Sequence, residues 1–371
     1  MDAALETQLR GRIAMKLLGL NIKASYLRTE IGPVVTTFYY TLPFDLPISR
    51  VMNKEEDIAI SCGVESALIT RQSGEIAIAI PNPIRQIVSF DKCLYELRKP
   101  RYHNLKLPIM LGTDTVGNPQ FIDLAEQPHM LIAGATGAGK SVLLSSILGG
   151  LVCARSPREL RLILVDTKKL DLTLFNGIPH LTDMIEDVKS FHTSFTRLMG
   201  MVRGRTEKMK GLARNIAEYN EFNPDAKLPY YVVIIDELAD LIDEDRALSY
   251  VDDEIAMQQR VQARIKSLVQ ICRATGIHLI AATQRPSVKI ITGDIKVNLP
   301  TRIALRVPNR VDSMTILNKS GAEHLLGKGD MLLESATTSS PLRFHGAYVS
   351  NTDIVTILDN ADAIRKSLEL I

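Results

Sequence analysis

The sequence lacks any uninterrupted apolar stretch that approaches the ~20 residues needed by a membrane-spanning helix. Its most apolar region, residues 130–152, is interrupted by glycines, a lysine and serines. Residues 1–12 mix acidic and basic side chains without an apolar core, so they do not have the pattern of a signal peptide. The sequence therefore predicts no membrane segment.

Cysteine is also scarce, with only four residues in a chain of 371. These four are scattered and show no metal-ligand spacing: Cys62, Cys93, Cys153 and Cys272. In a chain of this length we expect reduced core cysteines rather than a disulfide framework. The cytoplasm is therefore the expected compartment.

The chain has almost no net charge, since 44 Lys and Arg residues face 42 Asp and Glu residues, which gives +2. This balance excludes a basic coat over the whole surface. If the protein binds DNA, its positive charge must be concentrated locally, for example in loops that line a channel. The sequence also contains no internal repeat, and its 46% apolar content is ordinary for a globular protein.

The apolar runs change character near residue 100, which predicts two domains. Over residues 19–95 the runs are short and bounded by turn residues, as in VVTTFYYTL and EIAIAI, and such runs are typical of strands. The stretch 54–66 between them is compatible with a helix. We therefore predict a small α+β domain over residues 1–100.

Residues 101–371 alternate between two kinds of apolar pattern. Three nearly continuous, β-branched runs are expected of parallel strands buried on both faces: LRLILVD (160–166), YYVVIID (230–236) and IHLIAATQ (277–284). Stretches of helical period lie between or after them, at 188–209, 254–274 and 353–371. This alternation predicts an α/β fold with a mainly parallel sheet flanked by helices.

The strongest motif matches G-x-x-x-x-G-K-[ST] and consists of Gly134, Ala135, Thr136, Gly137, Ala138, Gly139, Lys140 and Ser141. The apolar run 130–133 precedes it as a strand, and SVLLSSIL follows as the start of a helix. A chance glycine turn would not explain both flanks. The motif therefore predicts the phosphate loop of a P-loop NTPase (RecA-like) core, with ATP and Mg²⁺ as ligands.

Each part of this loop has a chemical reason. Glycines let successive N–H groups point at the β-phosphate, and the following helix adds the positive end of its dipole. Lys140 is expected to contact the β- and γ-phosphates, and the Ser141 hydroxyl to ligate Mg²⁺.

Acidic and polar residues end two of the predicted strands. Asp236 is expected to hold the Mg²⁺ shell, and Glu237 to orient and polarise the attacking water. Gln284, at the tip of the strand 277–283, is placed to sense the γ-phosphate, since ligands bind at the carboxyl ends of parallel strands. The alternatives are surface acids for the first pair and a plain turn for Gln284. His278, in the same strand, is expected to be a core residue.

Asp166 and Lys168 end a third strand and face the same predicted crevice. An ion pair between the two would explain both of them, so their role stays open.

Several strings then resemble the motor domain of the FtsK/SpoIIIE DNA translocases: GATGAGKS, VDTKKLDL, FNGIPHL, VVIIDELADL, CRATGIHLIAATQRPSVKIITGDIKVNLPTRIAL and DSMTILNKSGAEHLLGKGDML. The resemblance is dense over residues 105–350. It is weaker over 30–100, where GPV and PNP resemble the family's small α domain. ATQRPSV followed by ITG and LPTRIA is the most specific part.

The resemblance implies a homo-hexameric ring with ATP bound between subunits and double-stranded DNA in a central channel. It places Arg285, Lys296 and Arg310 against the DNA backbone, and a motor that tracks any sequence should grip phosphates rather than base edges. A solvated surface position is the alternative for each of the three.

A ring motor also needs a cation that reaches across the subunit interface to the γ-phosphate. Arg273 is our candidate, with Arg264 and Arg302 as alternatives that the sequence does not separate. Arg205 and the basic run that ends at Arg214 could serve the interface, the DNA or a solvated helix face.

Family members often carry membrane helices and a winged-helix domain, and neither is visible in this sequence. Membrane anchoring and sequence-guided direction are therefore not expected of this chain. Two other functions stay open. Related ATPases push protein substrates through secretion machines, although those chains usually contain several ATPase domains, and a catalytically dead scaffold would not need the intact Lys140, Ser141, Asp236 and Glu237.

Overall fold

The computed structural model describes residues 2–72, 74–247, 260–338 and 340–369, which form a small antiparallel unit and a large α/β unit. The elements of the small unit are α1 (Ala3–Gly19), β1 (Ser25–Ile31), β2 (Val35–Thr41), α2 (Glu55–Cys62), β3 (Leu68–Gln72) and β4 (Glu75–Pro81). Its sheet has the strand order β1-β2-β4-β3.

The core of the small unit lies between its two helices and one face of the sheet. The side chain of Asp2 begins α1 by accepting a hydrogen bond from the Leu5 N–H at 2.8 Å. Because side chains alternate across a strand, Phe38 of β2 and Ile78 of β4 lie on the same face, where they pack with Ile13 and Ile58 of the helices.

The large unit is built around a ten-stranded sheet. Its first elements are α3 (Phe90–Leu97), β5 (Pro108–Asp114), β6 (Pro119–Asp123), β7 (His129–Ala133), α4 (Lys140–Ala154), β8 (Leu160–Val165), β9 (Leu181–Ile185), α5 (Val188–Met209), α6 (Ile216–Phe222), β10 (Tyr230–Ile235) and α7 (Leu238–Ala247). The remainder are α8 (Arg260–Ile271), β11 (Ile277–Thr283), α9 (Gly293–Asn298), β12 (Thr301–Leu305), α10 (Arg310–Leu317), β13 (Asp330–Glu334), β14 (Leu342–His345) and α11 (Asn351–Glu369). The strand order in the sheet is β6-β5-β14-β13-β12-β7-β11-β10-β8-β9.

The six strands from β12 to β9 run parallel, while β13, β14, β5 and β6 extend the sheet as antiparallel strands. Alternate residues of the parallel strands supply two cores. Ile132 and Val232 pack on the side of α3, α4 and α11, whereas Leu131 and Val233 pack on the side of α5, α7 and α8. The predicted α/β class with a mainly parallel sheet is confirmed.

The three predicted parallel strands appear as β8, β10 and β11, each one residue shorter than its apolar run. The predicted helices 188–209 and 54–66 appear as α5 and as the shorter α2. Of the stretch 254–274, residues 260–271 form α8, and residues 254–259 lie outside the described part of the chain.

The predicted domain boundary at residue 100 falls after α3. Phe90, Cys93 and Leu97 of this helix belong to the core that also contains Leu144 of α4. The packing of α3 thus joins it to the large unit, and the boundary itself stays a prediction.

All four cysteines lie within the described residues as free thiols, and three are buried, while Cys153 is half-buried. Burial raises the pKa of the Cys93 thiol to about 11, so the thiol stays protonated at neutral pH. His278 is buried as expected: its Nδ1 lies 2.9 Å from the Pro128 carbonyl oxygen, and burial lowers its pKa to about 4. Within the described residues, no helix combines the length and apolarity required to cross a membrane.

β5 contains a bulge at Gly112, where the antiparallel strands are closely packed. Gly112 has φ +93°, and a Cβ built there would lie 2.1 Å from the His345 carbonyl oxygen. We therefore expect Gly112→Ala to lower the free energy of unfolding by about 2 kcal/mol or more, measured by urea denaturation.

The matched control is Gly11→Ala in α1, where a Cβ would meet no atom of the described residues within 4 Å. This change is expected to raise the stability by up to about 1 kcal/mol, since alanine favours a helix interior. Equal effects at the two positions would contradict this view of the bulge.

Candidate functional site

The phosphate loop predicted at residues 134–141 connects β7 to α4. Gly137 and Gly139 have φ +79° and +106°, a backbone conformation that glycine adopts without strain. Gly139 precedes the first turn of α4 without a side-chain cap, so that turn presents its N–H groups to the loop. This is the geometry that binds an anion at a helix N-terminus.

Close packing holds the loop in place. A Cβ on Gly139 would lie 2.5 Å from the Gly329 nitrogen, and the Gly329 N–H donates to the Ala138 carbonyl at 2.8 Å. On the other side, the Ala135 N–H donates to the Arg306 carbonyl at 2.8 Å. The loop therefore rests on the segments that follow β12 and precede β13.

Lys140 and Asp236 form a buried ion pair at the centre of the site. Lys140 Nζ lies 2.5 Å from Asp236 Oδ1 and 2.5 Å from the Asp236 carbonyl oxygen, and the two residues are 3% and 2% exposed. Burial raises the pKa of the Asp236 carboxyl above its ordinary value, although the Lys140 ammonium opposes that shift. Because β8 and β10 are parallel neighbours, the Asp236 N–H reaches the Val165 carbonyl at 3.0 Å.

Two more acids lie near this pair, and both follow β8. The Ser141 hydroxyl donates a short hydrogen bond to Asp171 Oδ2. Asp166 is fully buried, and its Oδ2 accepts the backbone N–H groups of Leu170 and Leu172 at 3.0 and 2.9 Å. Among the described residues, its Oδ1 is buried without a hydrogen-bond partner.

Glu237 is 2% exposed and is held against the end of β11. Its Oε1 accepts the Thr283 hydroxyl at 2.6 Å, and its Oε2 accepts the Gln284 N–H at 2.8 Å. Lys168 Nζ lies 3.7 Å from Oε2 and 3.2 Å from Asp240 on α7. Burial opposes the charge on Lys168, but the neighbouring carboxylates raise its pKa above its ordinary value.

The Gln284 side chain reaches the phosphate loop, where its Oε1 accepts the Thr136 hydroxyl at 2.8 Å. The strand ends of β10 and β11 and the loop after β7 thus meet in one crevice, as the parallel sheet predicts. Gln284 thus contacts the phosphate loop, and its role as a γ-phosphate sensor stays a prediction.

The residues of this crevice fit magnesium and a triphosphate by their chemistry. Asp236 and Ser141 supply the carboxylate and hydroxyl oxygens that Mg²⁺ prefers. Asp166 Oδ1, which has no hydrogen-bond partner in the described part of the chain, is a further buried acceptor. The buried Lys140 ammonium and the N–H groups at the start of α4 suit a polyanion.

A cavity of about 340 Å³ adjoins the loop. Leu143 of α4, Gly346 and Tyr348 line it, together with Gly139 and Lys328. The side chain of Tyr348 is half exposed at its rim.

The three predicted DNA contacts lie in different surroundings. Arg285 is exposed beside α7, where its guanidinium lies 3.0 Å from Asp243 and 3.7 Å from Asp240. Lys296 of α9 donates to Asn318 Oδ1 at 2.9 Å. Arg310 opens α10 and lines a cleft of about 560 Å³ that also contains Glu55 and Glu323. Arg310 therefore shares its cleft with acidic side chains, and all three DNA contacts stay predictions.

The candidates for a cation acting across an interface also separate. Arg273 is exposed, whereas Arg264 donates to the His192 carbonyl at 3.0 Å within its own chain. Arg302 lies half-buried on β12, and burial lowers the pKa of its guanidinium.

Two sequence-based expectations are corrected. Arg205 is buried, and its guanidinium donates to the carbonyls of Thr275 and Pro229 at 2.7 Å each, so it ties α5 to the start of β11 and β10 rather than facing DNA or solvent. Lys168 pairs with Asp240 and Glu237, not with Asp166, because Asp166 turns inward to bind backbone N–H groups.

Sequence reasoning missed Asp171, Thr283 and Gly329. Each lies in a string quoted for the family resemblance, but a string alone does not show contact. Asp171 binds Ser141 from 30 positions away in the sequence, and Thr283 binds Glu237 from 46 positions away.

Comparison with known families agrees with this geometry. The family model described as FtsK/SpoIIIE family matches residues 94–288, and the FtsK alpha domain matches residues 2–83. The two matches cover the large unit from α3 through β11 and the small unit, respectively.

Curated relatives are named DNA translocase FtsK. The protein of Campylobacter jejuni is 39% identical over 354 residues, covering 93% of this chain and 36% of its own length. The Haemophilus influenzae protein is 36% identical over 390 residues, covering 97% of this chain and 71% of its own length. The chain thus spans little more than a third of the first of these relatives.

A solved structure of the pCW3 conjugation coupling protein TcpA, in its monomer form with ATPgS, has the same fold. It superposes with a TM-score of 0.64 at 24% identity, covering 95% of this chain and 99% of that one.

The ion pair at the centre of the site predicts a pH-dependent loss of stability in Lys140→Met. Without the ammonium, the pKa of Asp236 rises further, so folding forces an ionised carboxylate into a buried site or forces it to take up a proton. A carboxyl whose pKa is higher in the folded than in the unfolded state destabilises the fold increasingly as pH rises. We expect a loss of about 3 kcal/mol at pH 8 that shrinks towards pH 5, measured by urea denaturation.

The control is Lys140→Met with Asp236→Asn, in which the buried charge is absent and the pH dependence of the loss should disappear. A loss in the single variant that is equal at pH 5 and pH 8 would show that Asp236 is not the uncompensated group.

Proposed function

This chain belongs to the FtsK/SpoIIIE family, and we propose that it hydrolyses ATP to pull double-stranded DNA through a ring of six identical subunits. The shared crevice supports the hydrolytic half of the proposal. In it, Lys140 of the phosphate loop lies 2.5 Å from Asp236, and Glu237 follows directly in the sequence.

The residues have distinct tasks in the proposed reaction. The N–H groups of residues 134–141 and the Lys140 ammonium bind the phosphates, which draws Lys140 away from Asp236. Asp236 and Ser141 would hold Mg²⁺, which neutralises charge on the β- and γ-phosphates when it is bound. Glu237 orients and polarises the attacking water, and Gln284 contacts the γ-phosphate. Asp171 positions the Ser141 hydroxyl.

The cavity of about 340 Å³ beside α4 is the proposed site for the base and ribose. It opens directly from the phosphate loop, and Leu143 and the Tyr348 ring provide apolar surface for a planar base. Gly346 allows close approach because it has no side chain.

The DNA-binding half of the proposal rests on the family and on the loop that follows β11. Arg285 directly follows Gln284, and its guanidinium is exposed. Lys296 lies further along the chain, in the short helix α9. A duplex phosphate competes with Asp240 and Asp243 for Arg285 through charge-assisted hydrogen bonds. Such contacts read no sequence, which suits a translocase.

Arg273 lies far from the phosphate loop of its own chain. In the proposed ring it acts on the nucleotide of a neighbouring subunit. It precedes β11, and the phosphate loop lies at the opposite, carboxyl end of that parallel strand. A cation that acts on a neighbouring subunit's nucleotide is expected at such a remote, exposed position.

ATP turnover by the protein is expected to rise several-fold when long duplex DNA is added at low salt. The rise should weaken as salt increases, because phosphate contacts release counterions. Lys140→Ala should abolish turnover with and without DNA, as measured by phosphate release. If turnover at low salt did not respond to long duplex DNA, the DNA-translocation half of the proposal would fall, and protein substrates would become the leading alternative.

Arg285→Ala is expected to weaken duplex binding and to reduce the slope of log affinity against log salt by about one unit. The matched control is Lys23→Ala, which removes an exposed base of the small unit and should leave the slope unchanged. An unchanged slope in Arg285→Ala would place this residue away from the DNA.

Particle images with ATP and duplex DNA are expected to show six-fold rings that encircle the helix. Particles that remain single chains along the DNA under these conditions would argue against the ring.

A further inference from the structure

Thr283 connects the phosphate loop to the proposed water-activating residue. It is the last residue of β11 and is fully buried. Its carbonyl accepts the Gly134 N–H at 3.3 Å, and its hydroxyl donates to Glu237 Oε1 at 2.6 Å. The proposed hydrolysis reaction assigns no role to the Thr283 hydroxyl.

Protein donors occupy both oxygens of Glu237. Besides Thr283, Oε1 accepts the Ala239 N–H at 3.3 Å, and Oε2 accepts the Gln284 N–H at 2.8 Å. The residue is 2% exposed, so little of the carboxylate faces the crevice. A carboxylate polarises water by offering it a lone pair, and these three hydrogen bonds engage most of the about four lone pairs and hold the group towards β11. The observed arrangement therefore restrains Glu237.

Two chains of contacts lead from Glu237 to Arg285. In the first, the backbone N–H of Arg285 donates to the Thr283 hydroxyl oxygen at 3.1 Å, and the Thr283 hydroxyl donates to Glu237. In the second, Lys168 lies 3.7 Å from Glu237 and 3.2 Å from Asp240, which in turn lies 3.7 Å from the Arg285 guanidinium. Arg285 is thus linked to Glu237 by two paths, one through Thr283 and the other through Asp240 and Lys168.

We propose that Thr283 is a positioning residue that holds Glu237 turned away from the crevice until Arg285 leaves Asp240 and Asp243 for a phosphate of DNA. The release through Arg285 rests on the proposed function, whereas the restraint by Thr283 does not. When a DNA phosphate draws the Arg285 side chain, the backbone of residue 285 moves with it and its amide N–H is withdrawn from the Thr283 hydroxyl oxygen. The hydrogen bond that Thr283 donates then weakens, because bonds in a chain polarise one another. Asp240, relieved of Arg285, binds Lys168 more strongly and draws it from Glu237.

Thr283→Val removes the hydroxyl and keeps the shape of the side chain. We expect kcat without DNA to rise about tenfold, the factor expected when a hydrogen bond to a charged group is lost. KM for ATP and the affinity for a fluorescent ATP analogue should not change, because the phosphate loop is untouched. The ratio of turnover with DNA to turnover without DNA should fall. Thr283→Ser, which keeps the hydroxyl, should behave like the unchanged protein.

An unchanged or lower kcat in Thr283→Val, with analogue binding intact, would overturn the restraint. If the unchanged protein itself failed to respond to duplex DNA, the translocase function would fall, but kcat without DNA would still decide the role of Thr283. Should Thr283→Val melt early, Thr283→Ala provides the same comparison without a buried β-branched side chain.

The link through Arg285 is tested by a double-mutant cycle at saturating DNA. Arg285→Gln alone should lower the DNA stimulation ratio, and adding it to Thr283→Val should lower that ratio no further. Independent, multiplicative effects of the two substitutions would exclude a shared path from Arg285 to Glu237.

Discussion

The buried ion pair between Lys140 and Asp236 is the interaction on which the site depends. A lysine ammonium at 3% exposure is stable only beside an opposite charge, and a carboxylate at 2% exposure needs the same compensation. A triphosphate can replace the carboxylate as the partner of Lys140. Nucleotide binding then exchanges one anionic partner of the ammonium for another and does not leave the ammonium buried without a counter-charge. Regular elements hold both partners in place, since Asp236 directly follows β10 and Lys140 is the first residue of α4.

The parallel sheet turns separate strand ends into one crevice. β7, β11, β10 and β8 are neighbours that all point the same way, so the residues after them meet at one edge. That edge carries the phosphate loop, Gln284, the Asp236–Glu237 pair and Asp166. The antiparallel strands on the other side have a different task, since the segments beside β13 and β14 place Gly329 against the loop and Gly346 against Gly329.

The proposed hydrolytic and DNA-contacting residues are close neighbours in the sequence. Thr283, Gln284 and Arg285 are consecutive, and they contact Glu237, the phosphate loop and the acids of α7, respectively. A motor must couple its ATP site mechanically to its DNA-binding site. These three consecutive residues connect the two proposed sites without an intervening element. The inference on Thr283 follows from that adjacency.

The sequence by itself determined the parallel strands, the phosphate loop and the paired acids, because each depends on local pattern: continuous β-branched runs, glycine spacing and residues at strand ends. It did not reveal the short strands β6 and β9 or the exposed β1, in which polar residues interrupt the apolar ones and no continuous apolar run forms. Only the tertiary structure decided that Arg205 is buried, that Lys168 pairs with Asp240 and that Asp171 and Thr283 hold Ser141 and Glu237. These contacts join residues far apart in the chain, and their partners are selected by the order and direction of strands, which no local pattern encodes.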